Sequence, residues 1–194
     1  MRTVPRARLA AFKRARAWRG AGVMALMLAL AAPVQARGPG EVPVGGTLPD
    51  ALLQGLNGAS RHLSDYRGRP LLINVWASWC GPCMEEMASL ERLAWREGRA
   101  PFAMIGISTD DYPERARAVL GRTNATITHY VDHDLQMETM LGASTIPLTV
   151  LVDANGRVVD KVYGAQEWDA PDALQRIQRA FRPTARSRSG ADAR

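Results

Sequence analysis

The stretch of sequence that decides the fold is Trp76-Ala77-Ser78-Trp79-Cys80-Gly81-Pro82-Cys83, which holds the only two cysteines of the 194 residues. An almost entirely apolar run, Leu71 to Trp76, leads into it, and a helical pattern of apolar residues begins directly after it. A short apolar run of this kind is typical of a strand that is covered on both faces. The sequence therefore predicts a buried strand that leads into a helix with a cysteine pair at its start.

The spacing of the two cysteines predicts redox chemistry. Two intervening residues in the first turn of a helix bring the sulfur atoms close enough for a disulfide. Pro82 suits that turn, because the N–H that proline lacks would have no partner inside the helix. Cys80 would stand at the helix N-terminus, where free N–H groups and the helix dipole favour the thiolate and lower the thiol pKa. We therefore expect Cys80 to attack and Cys83, one turn further along, to be the shielded resolving thiol.

Metal binding and a purely structural disulfide are the alternative interpretations of the pair. A closed zinc site needs four ligands, and the chain has no second cysteine pair. His129 and His133 have the spacing of metal ligands but lie far along the chain, and a disulfide across so short a loop would restrain little chain entropy. His129, Asp132 and His133, or Met84 and Met87, would suit a metal ion only if the fold gathered them. We expect no resident metal and no cofactor.

The N-terminal segment 1–36 has the pattern of an export signal. Its first nineteen residues carry seven Lys and Arg and no acid, and residues 20–32 are apolar. Val34-Gln35-Ala36 is a small-residue cleavage site, so we expect cleavage after Ala36. The apolar run is shorter than the roughly 20 residues that span a bilayer, although an uncleaved membrane anchor is the alternative. Export predicts a periplasmic protein in a compartment that permits disulfides.

Removal of that segment changes the charge of the protein. The whole chain has a formal net charge of +6, but residues 37–194 hold 18 Lys and Arg against 19 Asp and Glu. The folded part therefore lacks the excess of basic residues that nucleic-acid binding requires, and no such partner is expected. We predict a linker at 37–43, a single domain at 44–182 and a disordered tail at 183–194.

The remaining pattern alternates between strands and helices, which predicts an α/β fold with a central mixed sheet flanked by helices. Residues 37–49 are expected to be an extended lead-in, and Asn57-Gly58 predicts a two-residue hairpin turn. Asn155-Gly156 predicts a second hairpin, and the polar cluster Ser108 to Asp111 is suited to capping the helix that follows it. Strands are predicted at 71–76, 102–107, 127–131, 148–153 and 157–163, and helices after Cys80 and at 113–121, 135–141 and 170–181.

Two motifs together resemble the thioredoxin superfamily. They are Trp79-Cys80-Gly81-Pro82-Cys83 and, later in the chain, Ile146-Pro147. The stretch from Gly68 to Cys80, with the predicted hairpin and export signal before it, is similar to the TlpA/ResA/DsbE-type branch. That branch comprises exported or membrane-tethered thiol–disulfide oxidoreductases. The resemblance covers about residues 44–181 and implies a thioredoxin-like fold with an N-terminal β-hairpin extension.

The resemblance also implies roles for single residues. Pro147 matches the cis-proline that faces the disulfide, and Ile146 before it would offer backbone hydrogen bonds to an extended substrate. Glu86 matches an acid that handles protons near the buried thiol, whereas Asn74 stands where thioredoxins have a buried aspartate. The alternative for Glu86 is an acid that only complements the helix dipole. Trp79, next to the pair, is expected to form part of a docking surface for partners.

The function predicted from these residues is reduction of disulfides in exported proteins. The clients that the resemblance implies are cytochrome c precursors with haem-site cysteines, or copper-delivery proteins of the respiratory chain. A membrane thiol donor would restore the dithiol, and we expect a monomer. Two other activities use the same cysteines, namely disulfide formation by an oxidase and Cu(I) binding by a metallochaperone. A module that only binds partners through this fold is a further alternative.

Overall fold

A computed structural model describes residues 40–96 and 101–182 of the chain. Seven strands form one mixed sheet in the order β2-β1-β5-β4-β3-β6-β7. β3, β4 and β5 are parallel to one another, whereas β6 is antiparallel to β3 and β7. The strands are β1 (Leu52–Gly55), β2 (Arg61–His62), β3 (Leu71–Trp76), β4 (Ala103–Ser108), β5 (Thr128–Val131), β6 (Leu148–Val152) and β7 (Val158–Tyr163). The helices are α1 (Gly81–Arg96), α2 (Pro113–Thr123), α3 (Gln136–Leu141) and α4 (Pro171–Ala180). The predicted fold class is confirmed.

Strand β3 is buried along its whole length because both faces of the sheet are covered. Leu71, Ile73 and Val75 point to the face that packs on α3. Leu72 and Trp76 point to the other face, which packs on α1, α2 and α4. The apolar residues of β3 therefore stabilise two cores at once, which explains why the sequence shows no alternation there.

The first hairpin differs from its prediction. The last paired residues of β1 and β2 are Leu53 and Arg61. The connection between the two strands is therefore far longer than the two residues that Asn57-Gly58 predicted. The side chain of Asn57 serves β5 instead. Its Nδ2 donates to the carbonyl oxygen of Ile127 at 2.9 Å, and its Oδ1 accepts from the backbone N–H of His129 at 2.8 Å. A local turn preference was overridden here because Asn57 satisfies backbone groups that a hairpin turn would have left unpaired.

The lead-in before β1 is not extended as predicted, because it turns at Pro43–Gly46. Gly46 N–H donates to the carbonyl oxygen of Pro43 at 2.9 Å, and Gly45 has φ +90°, a left-handed conformation that glycine adopts without steric cost. Within the predicted linker, Glu41 pairs with Lys161 of β7 at 2.5 Å between Oε1 and Nζ. These contacts tie the start of the described chain to β7.

The sheet brings three chain segments to one edge. The carboxyl ends of the parallel strands β3 and β4 lie side by side, with Trp76 opposite Ser108. β6 runs the other way and begins at this edge, where Leu148 lies opposite Val75. The segments after β3, after β4 and before β6 therefore meet, and the cysteine pair lies in the first of them.

Candidate active site

The two cysteines form a disulfide at the N-terminus of α1. The S–S distance is 2.06 Å, and the Cα atoms are 5.2 Å apart. Cys80 directly precedes the first helical residue, and Cys83 lies in the first turn. Cys80 is 6% exposed and Cys83 is 1% exposed, so the first cysteine is the more accessible residue.

Cys80 occupies the capping position of α1, and its sulfur accepts a hydrogen bond. The backbone N–H of Cys83 donates to Sγ of Cys80 at 3.2 Å. Because Pro82 has no N–H, the N–H of Cys83 is the main donor of the first turn that can reach the sulfur. A thiolate at this position in the reduced protein would keep that hydrogen bond and gain from the helix dipole. The geometry therefore favours Cys80 as the nucleophile.

The segment before β6 lies against the cysteines. The peptide bond between Ile146 and Pro147 is cis, as the resemblance implied. The half-buried side chain of Ile146 packs against the apolar cluster that includes both cysteines. Trp79, by contrast, is 70% exposed beside the pair. An extended peptide that reached Cys80 would therefore meet a broad aromatic surface.

Glu86 lies one turn beyond Cys83 and is buried, at 2% exposure. Its carboxylate accepts hydrogen bonds from Nε1 of Trp168 and, at 3.2 Å, from Nδ2 of Asn74. Asn74 also donates to Oγ1 of Thr149 at 3.1 Å. Burial raises the pKa of Glu86, and the hydrogen bonds from Trp168 and Asn74 oppose that shift. A carboxyl group with a raised pKa can exchange a proton closer to neutral pH than an exposed one.

Trp168 was not predicted as a site residue. It follows β7 in the chain, and its side chain is fully buried against α1. Its backbone N–H donates to Oγ of Ser89 at 3.0 Å, and Arg92 binds Asp169 with 2.7 Å between Nε and Oδ2. The loop that carries Trp168 is thus fastened to α1 at two further points. No local spacing in the sequence relates Trp168 to Glu86, because 82 residues separate them.

Asp110 is the second site residue that the sequence analysis missed. The cluster at Ser108 to Asp111 was predicted to cap α2, but the capping position belongs to Tyr112 and has no side-chain cap. The carboxylate of Asp110 instead reaches Ser78, two residues before Cys80. The capping prediction was wrong because the end of β4 lies next to the end of β3, and Ser78 just after β3 offers part-buried N–H and O–H donors.

The residues considered as metal ligands serve other roles. Nδ1 of His129 accepts from Nε1 of Trp76 at 3.1 Å inside the core. Asp132 accepts the backbone N–H groups of Met137 and Glu138 at the start of α3, and His133 is exposed. Within residues 40–96 and 101–182, no cluster of three or more His, Cys, Asp or Glu is arranged to hold a metal ion.

The comparisons with known proteins agree with this geometry. The Redoxin family model matches residues 43–177. The chain belongs to the Redoxin family. It is 29% identical to the thiol-disulfide oxidoreductase ResA of Geobacillus thermodenitrificans over 123 residues, which cover 63% of this chain and 71% of ResA.

Two solved structures extend this likeness. A crystal structure described as thiol:disulfide interchange protein DsbE of Chlorobium tepidum has a TM-score of 0.66 and 27% identity, covering 72% of this chain and 98% of that one. A solution structure from Bacteroides thetaiotaomicron, described as a protein disulfide isomerase, has a TM-score of 0.62 and 29% identity, covering 72% and 91%. This redoxin is thus a thiol–disulfide oxidoreductase of the ResA/DsbE type.

The buried side chain of His129 allows a prediction of how the free energy of unfolding of this redoxin depends on pH. Burial lowers the pKa of His129 to about 4, whereas an unfolded chain binds the proton near pH 6.5. Between these values the unfolded state holds more protons, so the free energy of unfolding should fall as the pH drops from 6.5 to 4. The loss attributable to His129 should approach ~3 kcal/mol.

Denaturant unfolding across this pH range measures that loss. A His129→Gln variant keeps an acceptor for Trp76 but does not titrate, so its stability should fall less steeply than that of the wild type. His133→Gln, at an exposed position, is the matched control and should follow the wild type. Parallel slopes for the wild type and His129→Gln would contradict the assignment.

Proposed function

We propose that this chain is an exported reductase that transfers two electrons from the Cys80–Cys83 dithiol to disulfides of periplasmic partner proteins. The observation that carries the proposal is the disulfide at the N-terminus of α1, with Ile146-Pro147 packed beside it and Glu86 buried one turn below Cys83. This arrangement supports Cys80 as the attacking sulfur and Cys83 as the resolving one. The proposed export depends on segment 1–36, which lies outside the described residues.

The first step joins the protein to its client. The Cys80 thiolate attacks one sulfur of the client disulfide, a bond forms between Sγ of Cys80 and that sulfur, and the client S–S bond breaks. The second client sulfur leaves as a thiolate and takes a proton from solvent. The exposed ring of Trp79 supports the client, and the backbone at Ile146 pairs with it as an added strand does.

The second step releases the client. The Cys83 thiol loses its proton, and the thiolate attacks Sγ of Cys80, which breaks the mixed disulfide and frees the client as a second thiolate. Glu86 is the proposed acceptor of that proton. Residues three apart on a helix lie on one face, so the Glu86 side chain neighbours Cys83. The second client thiolate takes a proton from solvent, so the client has gained two electrons and two protons, and the oxidised pair is the state that the structure describes.

A thiol donor at the membrane would return two electrons and restore the dithiol. We further propose clients that carry haem-attachment or copper-site cysteines, and a monomeric protein. No helix in residues 40–96 and 101–182 has the length and apolar character needed to cross a bilayer.

The proposed direction of electron flow predicts a low reduction potential for the Cys80–Cys83 pair. A reductase with Gly81-Pro82 between its cysteines should have a potential below about −200 mV, near the ~−270 mV of thioredoxin. Equilibration of the protein with glutathione buffers, followed by mass spectrometry of the alkylated thiols, measures it. A value near −120 mV, as in strongly oxidising proteins, would instead assign the chain as a disulfide-forming oxidase.

Removal of the resolving thiol should trap the client. A Cys83→Ala variant can attack but cannot complete the second step, so it should accumulate as a mixed disulfide when it is expressed in its native host. Non-reducing electrophoresis and mass spectrometry would identify the partner. The Cys80→Ala variant is the matched control, and adducts formed equally well by that control would contradict the assigned roles.

Neutralising the buried acid should slow the second step. A Glu86→Gln variant should resolve a mixed disulfide with a model peptide ~10- to 100-fold more slowly, because the local proton acceptor is gone. The Glu85→Gln variant, at an exposed neighbouring position, should behave as the wild type does. Stopped-flow single-turnover kinetics across pH would measure both rates.

A Trp168→Phe variant adds an arm to this experiment. It removes an indole donor that favours the ionised carboxylate, so the pKa of Glu86 should rise further. The inflection in the pH profile of the second step should then move to higher pH. An unchanged profile in both the Glu86→Gln and Trp168→Phe variants would exclude Glu86 as the proton acceptor.

A further inference from the structure

Asp110 lies at the end of β4 and reaches across to the segment that carries the attacking cysteine. It is 2% exposed. Its Oδ2 accepts the backbone N–H of Ser78 at 2.9 Å, and its Oδ1 accepts the Ser78 hydroxyl. Both oxygens of one buried carboxylate thus bind the residue two positions before Cys80.

Ser78 lies inside a tight turn that ends at Cys80. The N–H of Cys80 donates to the carbonyl oxygen of Ala77 at 3.1 Å, so Ser78 is the second residue of a four-residue turn. That turn fixes the direction in which the chain enters α1. It therefore also fixes where Sγ of Cys80 stands relative to the N–H of Cys83, from which it accepts a hydrogen bond.

Asp110 is also hydrogen-bonded to Ser108, the last residue of β4. The hydroxyl of Ser108 donates to its Oδ2 at 2.8 Å, and the backbone N–H of Asp110 donates to the same hydroxyl at 3.2 Å. Three donors on two oxygens suit a carboxylate, which accepts only. Hydrogen bonds to a charged group are stronger than neutral ones, and losing a buried partner leaves donors unpaired. The link between β4 and the turn is therefore rigid.

We propose that Asp110 is a positioning residue for the thiol–disulfide reaction. It holds the turn at Ser78 so that Sγ of Cys80 stays in line with the N–H of Cys83. Asp110 acts through Ser78 and reaches neither sulfur by a hydrogen bond in the described structure. The proposal rests on the proposed role of Cys80 as the attacking thiol, but it holds for either direction of electron flow.

Two variants at this position separate geometry from charge. Asp110→Ala removes all three contacts. Asp110→Asn removes only the charge, because the amide oxygen can accept from the Ser78 N–H and the Ser108 hydroxyl, while the amide nitrogen donates to the Ser78 hydroxyl. A nearby negative charge by itself would disfavour the thiolate of Cys80. If charge were the main effect, both variants would therefore react faster than the wild type.

The experiment measures the rate at which iodoacetamide alkylates Cys80 in the reduced full-length protein between pH 5 and 9, by mass spectrometry. In Asp110→Ala the rate at pH 7 should fall about five-fold, the effect expected from losing one ordinary hydrogen bond to the sulfur, and the apparent pKa of Cys80 should rise. Asp110→Asn should restore the wild-type rate. Ser78→Ala keeps the backbone N–H, so its alkylation rate should lie between the rates of Asp110→Ala and the wild type. It replaces Asp110→Ala in the experiment if that variant does not fold.

Asp153→Ala is the matched control for lost stability. Asp153 accepts the N–H groups of Asn155 and Arg157 at 2.9 Å, at the opposite end of the sheet. Its variant should alkylate as the wild type does. Equal rates in the wild type, Asp110→Ala and Ser78→Ala would overturn the proposal, as would slowing in Asp110→Asn or Asp153→Ala. If Cys83 reacted as fast as Cys80 in the wild type, the proposed function itself would fail.

Discussion

The pairing of β3 with strands on both sides is the constraint on which the site depends. β3 binds β4 in parallel and β6 antiparallel, so the end of β3 meets the end of β4 and the start of β6. The cysteine turn, Asp110 and Ile146-Pro147 come from these three segments. A slip of one register position would turn Trp76 to the other face and separate these groups. The buried amide of Asn74 favours that register, because its partners Glu86 and Thr149 lie on the α1 face.

Buried polar residues on the α1 face of the sheet lower the free energy of unfolding unless they are hydrogen-bonded, and packing alone does not explain their presence. Asn74, Thr149 and Glu86 lie where apolar residues would fill the space without needing partners. Burial of an ionisable carboxyl is unfavourable unless donors surround it, and Asn74 and Trp168 supply those donors. We propose that the use of the Glu86 carboxyl is to accept the proton of Cys83. Its position one turn below the resolving thiol fits that use.

Local motifs allowed much of the fold and the centre of the site to be predicted. The cysteine spacing located the start of α1, and Asn155-Gly156 located the β6–β7 hairpin. These features depend on a few neighbouring residues, whose conformational preferences can be read directly. The predicted hairpin forms between β1 and β2, but the two-residue turn at Asn57-Gly58 was wrong because the Asn57 side chain finds its partners at Ile127, 70 residues away, and at His129. A turn preference is weak beside two part-buried hydrogen bonds to the backbone.

The missed residues share the same physical reason. The indole of Trp168 and the carboxylate of Asp110 make contacts with residues far away in the sequence. No sequence spacing indicates these contacts, because they form only once the chain has folded. Trp168 lies in the connection between the predicted strand at 157–163 and the predicted helix at 170–181, and the Ser108 to Asp111 cluster offered a plausible local role as a cap. Such contacts require the strand order and register, which periodicity does not determine.

In the proposed mechanism, two buried carboxyl groups therefore serve the two sulfurs in different ways. Burial raises the pKa of Glu86 despite the hydrogen bonds that its carboxylate accepts, which supports the proposed proton exchange. Asp110 meets three donors, two of them on one backbone turn, which suits it to fixing geometry. The resolving thiol must lose a proton during the reaction, whereas the attacking sulfur must already be aligned when the client arrives. The difference between the two environments matches that difference in chemistry.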